Sequence, residues 1–243
     1  MTVNMIDFTE IETLTFDCYG TLINWENGIL SAVKPVLESH NIALEDEKIL
    51  ELYAELESEI EKEGYIRYRE VMRKVMEKIG EKLGFHPLNE ELNCLVNSLK
   101  DWKPFPDTVE SLKLLKRRYK LVIISNVDDD LFSLSQKHLE VEFDWVITAE
   151  QVGSYKPSLN NFRFAIERIG NPDKILHVAQ SLYHDIVPAK KLGINAVWVN
   201  RRKGKTGSGA TPYVEVTQEL KPDLEVANLK ELCELIEGYL GQS

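Results

Sequence analysis

Six short apolar runs, rich in β-branched residues and bounded by turn residues, punctuate this chain. They are Thr13 to Phe16, Leu121 to Ser125, Trp145 to Thr148, Ile175 to Ala179, Ala196 to Val199 and Leu224 to Val226. A run that is apolar on both faces needs cover on both faces, so these segments predict buried parallel strands. Between the later runs, apolar residues fall three or four apart over Asp107 to Arg118, Asp129 to Leu139, Asn160 to Ile169 and Ile186 to Leu192, which predicts helices. Strand and helix alternate, so the predicted fold is α/β, a doubly wound parallel sheet. Ligands in such sheets collect at the carboxyl ends of strands, which directs attention to the residues just after each run.

Residues 24–102 break this rhythm, being almost wholly helical in pattern with Glu/Lys-rich faces. They predict an inserted helical cap, with turns at Gly64, Gly84 and Pro87 and a return linker at Trp102-Lys103-Pro104-Phe105-Pro106. Residues 1–23 and 103–243 then form the core. The Gly-, Lys- and Ser-rich stretch from Arg201 to Ala210 reads as a mobile surface loop.

Composition narrows the function. The 243 residues are 43% hydrophobic, enough for a sizeable core, and the net charge of −11 disfavours nucleic acid or an anionic membrane as a partner. Cysteines at 18, 94 and 233 show no CxxC spacing and no paired framework, which favours a reducing compartment over disulfides or structural zinc. Met1 to Glu10 lacks the basic start and apolar run of a secretory signal, and no stretch is apolar enough to span a bilayer. A cytoplasmic location and a small-molecule substrate are therefore expected, with a homodimer compatible with the composition.

The strand tips carry the candidate chemistry. Phe16-Asp17-Cys18-Tyr19-Gly20-Thr21-Leu22 places a carboxylate and a glycine turn after the first strand. The second ends at Ser125-Asn126, the third is followed by Tyr155-Lys156-Pro157, and the fourth leads into Gln180-Ser181-Leu182-Tyr183-His184-Asp185. A lysine beside carboxylates is expensive to bury unless paired. Taken alone, Asp17 fits a nucleophile, a base or a turn cap equally well.

In their order and spacing, Asp17-x-Tyr19-Gly20-Thr21, Ser125-Asn126, Lys156-Pro157 and the acidic stretch ending in Asp185 resemble the four motifs of the haloacid dehalogenase superfamily. The resemblance implies a Rossmann-like core under an α-helical cap. Phosphatase members carry a second acid two positions after the nucleophile and a Gly-Asp in the fourth motif, where this chain has Tyr19 and Ala179-Gln180. Without those hard oxygen ligands a magnesium site is disfavoured, and no cofactor is expected. The pattern is similar to the metal-independent 2-haloacid dehalogenase branch, with a magnesium phosphatase as the alternative. In that branch an Asp attacks the substituted carbon and water then cleaves the ester.

Carried over by resemblance, Asp17 is the nucleophile, Lys156 its balancing cation and Asp185 the acid that helps activate water. Thr21 orients the nucleophile, while Ser125, Asn126, Tyr19, Ser181 and His184 complete the substrate-binding set. The chain departs from typical 2-haloacid dehalogenases at Gln180 and Leu182, where they have Ser and Asn, and at Phe162, where they have Tyr. It also lacks a clear counterpart of their halide-binding arginine between Ile23 and His40. Phe16 to Ile23, Val152 to Pro157 and Ser181 to Asp185 look more like a side branch that includes azetidine-2-carboxylate hydrolase, which opens a strained C–N ring beside a carboxylate. The implied substrate is a small 2-substituted carboxylate, with halide or ring amine departing.

Other signals have simpler readings. Cys18 and His177 read as packing residues, and Gly204-Lys205-Thr206 as a surface turn rather than the end of a phosphate loop. Asp128-Asp129-Asp130 sits where acids cap a helix, with Asp128 also placed to face a substrate amine. Trp25, Tyr65, Tyr68, Trp102 and Phe105 read singly as core aromatics.

Overall fold

The structure, a computed structural model, describes residues 6–241. Residues 1–5, within the segment Met1 to Glu10, and residues 242–243, at the other end of the expected core, lie outside the described residues.

All six apolar runs form strands: β1 (Thr13–Phe16), β2 (Lys120–Ser125), β3 (Trp145–Thr148), β4 (Ile175–Ala179), β5 (Asn195–Val199) and β6 (Leu224–Val226). They lie in the order β3-β2-β1-β4-β5-β6, and every neighbouring pair is parallel. This is the Rossmann-like doubly wound arrangement. The order reverses direction at β1, so β1 and β4 flank the crevice at the carboxyl edge. Every residue of β1 is buried, as a central strand covered on both faces requires.

Between β1 and β2 run α1 (Trp25–Ser39), α2 (Asp46–Lys62), α3 (Tyr68–Leu83) and the short helices α4 (Asn89–Leu92) and α5 (Cys94–Ser98). They are followed by α6 (Thr108–Lys116), α7 (Asp129–Leu139), α8 (Ala149–Val152), α9 (Leu159–Ile169), α10 (Val187–Lys191) and α11 (Leu229–Leu240). Outgoing and returning strands of the insertion are stitched together: Asn24 N donates to Lys103 O at 2.8 Å and Phe105 N to Leu22 O at 3.0 Å. Close packing continues at Gly28, where a Cβ would lie 2.5 Å from the Trp102 indole, so only glycine fits.

One apolar cluster joins one face of the sheet to the insertion through Phe16, Ile29, Tyr53 and Trp102. A second lies on the other face, where Val122, Ile124 and Ala179 meet Phe162 and Ala165 of α9. Each of the larger buried side chains, such as Phe16, Ile29, Val122 and Phe162, contributes about 1.5–3 kcal/mol by burial, which fixes the sheet that carries the site.

The segment after β5 is exposed from Lys203 to Gly207, as a surface loop is, but its two ends are anchored. Arg201 donates to Asp107 at 2.7 Å and to Thr21 O at 2.8 Å. Arg202 is held by Glu26 at 2.9 Å and Glu47 at 2.7 Å, and Ala210 is fully buried. Composition alone reported the Gly, Lys and Ser content but not the acids on α1 and α2 that wait for these arginines.

Candidate active site

The site begins with a lysine that three strand ends surround. Lys156, 1% exposed, donates to Asp17 Oδ1 at 2.9 Å, to Asp185 Oδ1 at 2.7 Å and to the Ile124 carbonyl at 2.9 Å. All three ammonium hydrogens are thereby used, which is what makes a buried cation tolerable. Burial opposes its charge, yet Asp17 and Asp185 outweigh this and push its pKa up to about 12. Lys156 stays charged at any working pH.

Asp17 leaves β1 with its backbone N–H on Val178 O, and Thr21 donates to its Oδ2 at 2.7 Å. The Thr21 hydroxyl in turn accepts from Gln180 N at 2.9 Å. Gly20 makes the turn between them with φ +92°, and a Cβ there would lie 2.9 Å from Trp25 Nε1. Burial raises the Asp17 pKa, with Asp185 adding to the effect and Lys156 and Thr21 opposing it. Asp185 is the counterpart. Burial pushes it up, but Lys156 and the His177 ring hold it below the ordinary range. It sits on a π turn, Leu182–Ile186, a distortion that recurs at functional sites.

His177 is more than packing. Its Nε2 meets Asp185 Oδ1 at 3.0 Å and its Nδ1 meets the Thr15 hydroxyl at 2.8 Å. A carboxylate only accepts, so Nε2 carries a hydrogen and the ring aims Asp185 at Lys156. The sequence signal was available, since His177 is the one polar residue in β4, two positions from the strand tip.

A cavity with about 40 Å³ of free space opens over these groups, which is room for about three waters. Its floor comprises Asp17, Ser125, Lys156, Ser181, His184 and Asp185. Ser125 Oγ and Asp185 Oδ2 are buried without a hydrogen-bond partner. His184 has its pKa lowered to about 4 by burial, so it is a neutral wall, and Ser181 caps its backbone N–H at 2.9 Å.

Tyr19 and Asn126 line the cavity with their polar atoms already engaged, and Thr21 does not line it. Asn126 reaches the cavity but spends its amide on Lys156, accepting from its N–H at 2.7 Å and donating to its carbonyl at 3.0 Å. Tyr19 lines the cavity with its ring, while its hydroxyl bonds Ser135 Oγ at 2.9 Å. Thr21 is fully buried on Asp17, away from the cavity. For Asn126 and Tyr19 a neighbour distant in sequence claims the polar atoms, while Thr21 bonds a residue four positions away.

The cavity roof comes from the insertion: Trp25, Glu57, Glu61 and Tyr68. Sequence reasoning missed both glutamates, because on a Glu-rich helix nothing separates a cavity acid from a solvated one. Glu57 Oε1 accepts from Tyr68 OH at 2.6 Å and Tyr53 OH at 3.1 Å. Burial pushes its pKa up to about 7 against both phenols, and burial with Glu57 nearby pushes Glu61 well above its ordinary value. Asp128 faces α3 rather than the cavity, accepting from Tyr68 N at 2.8 Å and Arg69 N at 3.1 Å.

The two floor carboxylates that magnesium would use both bond Lys156 through Oδ1. Lys156 occupies the space between Asp17 and Asp185, and Gln180 Oε1 accepts from Thr211 at 3.1 Å. No cluster of three His, Cys, Asp or Glu side chains suited to a metal occurs among the described residues.

Comparison with known proteins gives one family. The model for haloacid dehalogenase-like hydrolases matches residues 11–193. An (S)-2-haloacid dehalogenase of Pseudomonas fluorescens is 26% identical over 80% of this chain and 86% of its own length. A glyceraldehyde 3-phosphate phosphatase of Methanothermobacter thermautotrophicus is 34% identical, over 40% of this chain and 45% of its own. The chain spans about half the length of the first curated relatives it matches. Among solved structures, the L-2-haloacid dehalogenase from Xanthobacter autotrophicus with chloropropionic acid covalently bound superposes with TM-score 0.76 at 22% identity, covering 94% of this chain and 99% of that one.

Proposed function

We propose, from the premise that this chain belongs to the haloacid dehalogenase-like hydrolases, that it is a metal-independent hydrolase of a small 2-substituted carboxylate with Asp17 as nucleophile. Residues 24–102 act as the cap over a core of residues 1–23 and 103–243. The observation that carries the reading is the Lys156 bridge between Asp17 and Asp185 under a cavity holding an unpaired Ser125 hydroxyl.

An ammonium wedged between the two carboxylates supplies the charge balance that a phosphatase obtains in part from magnesium. Asp17 Oδ2, aligned by Thr21, and Oδ1, on Lys156, form a fixed carboxylate. One oxygen attacks the carbon bearing the leaving group, the bond to that group breaks with its electron pair, and an Asp17 ester forms. Ser125 donates to the substrate carboxylate. Asp185, aimed by His177 and retaining a free Oδ2, takes the proton of the water that attacks the Asp17 carboxyl carbon. The hydroxy acid leaves and Asp17 is restored.

The decisive experiment is a single turnover in heavy-oxygen water with enzyme in excess. Label on the Asp17 side chain and unlabelled product is the expected result. Label passing straight to product, with Asp17 unlabelled, makes Asp17 a base and overturns the covalent route.

A further inference from the structure

We infer that Gln180 and Thr211 form an end wall that limits the length of the acid the site accepts: their side chains close the inner cavity off from a second, larger cavity beside it. The inference rests on the reading of the inner cavity as the place where a small carboxylate meets Asp17.

The wall follows from what the two cavities share. The inner one, at about 40 Å³, limits its occupant to a few heavy atoms. The outer one holds about 380 Å³, and Gln180 and Thr211 are the two residues that line both. Their side chains meet at the boundary, where the Thr211 hydroxyl donates to Gln180 Oε1 at 3.1 Å. Leu182, Trp198, Pro212 and Val214 give the outer cavity apolar walls, suited to an aliphatic chain for which the inner cavity has no space.

Both residues are held from outside the wall. The Gln180 N–H donates to the Thr21 hydroxyl at 2.9 Å and its carbonyl accepts from Trp198 Nε1 at 2.8 Å, which leaves the side chain as the movable part. Gly20 makes room for that side chain, since a Cβ there would lie 3.1 Å from Gln180 Oε1. Thr211 is placed by the segment after β5. Gly209, at φ +65°, donates its N–H to Glu47 Oε1 at 3.1 Å, and a Cβ there would collide with Glu26 Oε1, so only glycine brings the backbone this close to α1 and α2. Arg202 pairs with the same two glutamates. The segment thereby ends in a buried Ala210 and Thr211, with Thr211 against the inner cavity. An acid with a longer chain has to break the Thr211–Gln180 hydrogen bond and leave a buried hydroxyl and an amide oxygen unpaired, which is how the wall rejects it.

Binding of product acids tests the wall without turnover. Calorimetry on the full chain compares (S)-lactate with 2-hydroxyhexanoate, which differ only in the length of the chain. The wild type is expected to bind lactate more tightly by about 10-fold or more, the discrimination that a closed pocket achieves against added methylenes. Thr211→Ala, which frees the Gln180 side chain, should bring the ratio towards one, and Gln180→Ala, which removes the wall itself, should do the same or reverse it. Thr211→Ser keeps the hydroxyl and should keep the wild-type ratio. Circular dichroism checks the fold of each variant, and the ratio separates a wall from general loosening, which would weaken both acids alike. Equal binding of the two acids by the wild type, binding of neither, or a ratio that neither alanine variant moves overturns the inference. Failure of the oxygen-label experiment with the length selection intact and lost in the variants would instead overturn the nucleophile and leave the wall.

Discussion

The floor and the roof of the cavity handle carboxylates in opposite ways. On the floor each acid is compensated: Asp17 by Lys156 and Thr21, Asp185 by Lys156 and His177. On the roof Glu57 has phenols alone, and Glu61 gains its support from the Asn126 amide. Compensated acids are held by fixed partners and aimed, as a reaction needs. Those on the roof meet only neutral donors, and burial favours their protonated forms. The cap periphery shows that this is no general feature of an acidic protein, since there Arg202 neutralises Glu26 and Glu47 and Arg67 pairs with Glu150. The floor therefore holds its acids on fixed partners, and the roof holds its acids by burial against neutral groups.

The strongest way to break this contrast is Asp17→Asn, expected to reduce turnover by about 10⁴-fold or more because an amide is neither nucleophile nor base. Steady-state rates on a panel of 2-chloropropionate, fluoroacetate and azetidine-2-carboxylate would show it, and residual activity near wild type would move the nucleophile elsewhere. Lys156→Ala should cost at least ~100-fold in rate. It should also lower Tm, since it leaves Asp17 and Asp185 buried without a cation.

The roof makes a prediction of the other sign. Glu57 has a folded pKa of about 7 against an ordinary 4.5, so between these values the folded protein keeps a proton that the unfolded chain has released. Stability from this group is therefore lost as pH rises from about 4.5 to 7. Glu57→Gln keeps an acceptor for Tyr53 and Tyr68 while removing the titration, and should stabilise the protein at pH 8 by on the order of 1–3 kcal/mol relative to pH 5. Thermal melts at the two pH values check this. A variant that tracks the wild type at both would mean that Glu57 is not desolvated.

Asp128→Ala tests the latch that places the roof. It removes the acceptor for Tyr68 N and Arg69 N and should cost about 1–2 kcal/mol, seen as a Tm decrease of roughly 2–8 °C. Substrate KM should rise, because Tyr68 holds Glu57. The smallest expected effect is that of chelation. Exhaustive EDTA should leave the rate unchanged, whereas loss restored by magnesium would make the enzyme a phosphatase and return the floor to a metal.

Local pattern carried most of the core. Period and composition located the six strands to within a residue at each end, because a strand buried on both faces has to be an apolar run. The order of motifs along the chain then placed Asp17, Ser125, Lys156 and Asp185 at adjacent strand tips, since a parallel sheet puts all its carboxyl ends on one edge. What residue type left open was the use of each polar atom. Asn126 and Tyr19 read as substrate contacts, and only packing revealed that Lys156 and Ser135 claim their polar atoms, whereas Thr21 bonds Asp17, the residue it was read to orient. His177 read as filler until β4 brought it to Asp185.

The sequence by itself determined a parallel α/β sheet, a helical insertion after β1 and a carboxylate, hydroxyl, ammonium and carboxylate in order along one edge. These follow from periodicities two and 3.6 and from chain direction, which are local properties. Only the tertiary structure decided which faces of α2 and α3 look down on that edge. Glu57 and Glu61 are two glutamates among many, and their neighbours in sequence, Glu55, Glu59 and Glu63, are exposed. Burial alone separates them: a carboxylate in water is indifferent to its surroundings, and the same group buried under the helical insertion must keep a proton or find a partner.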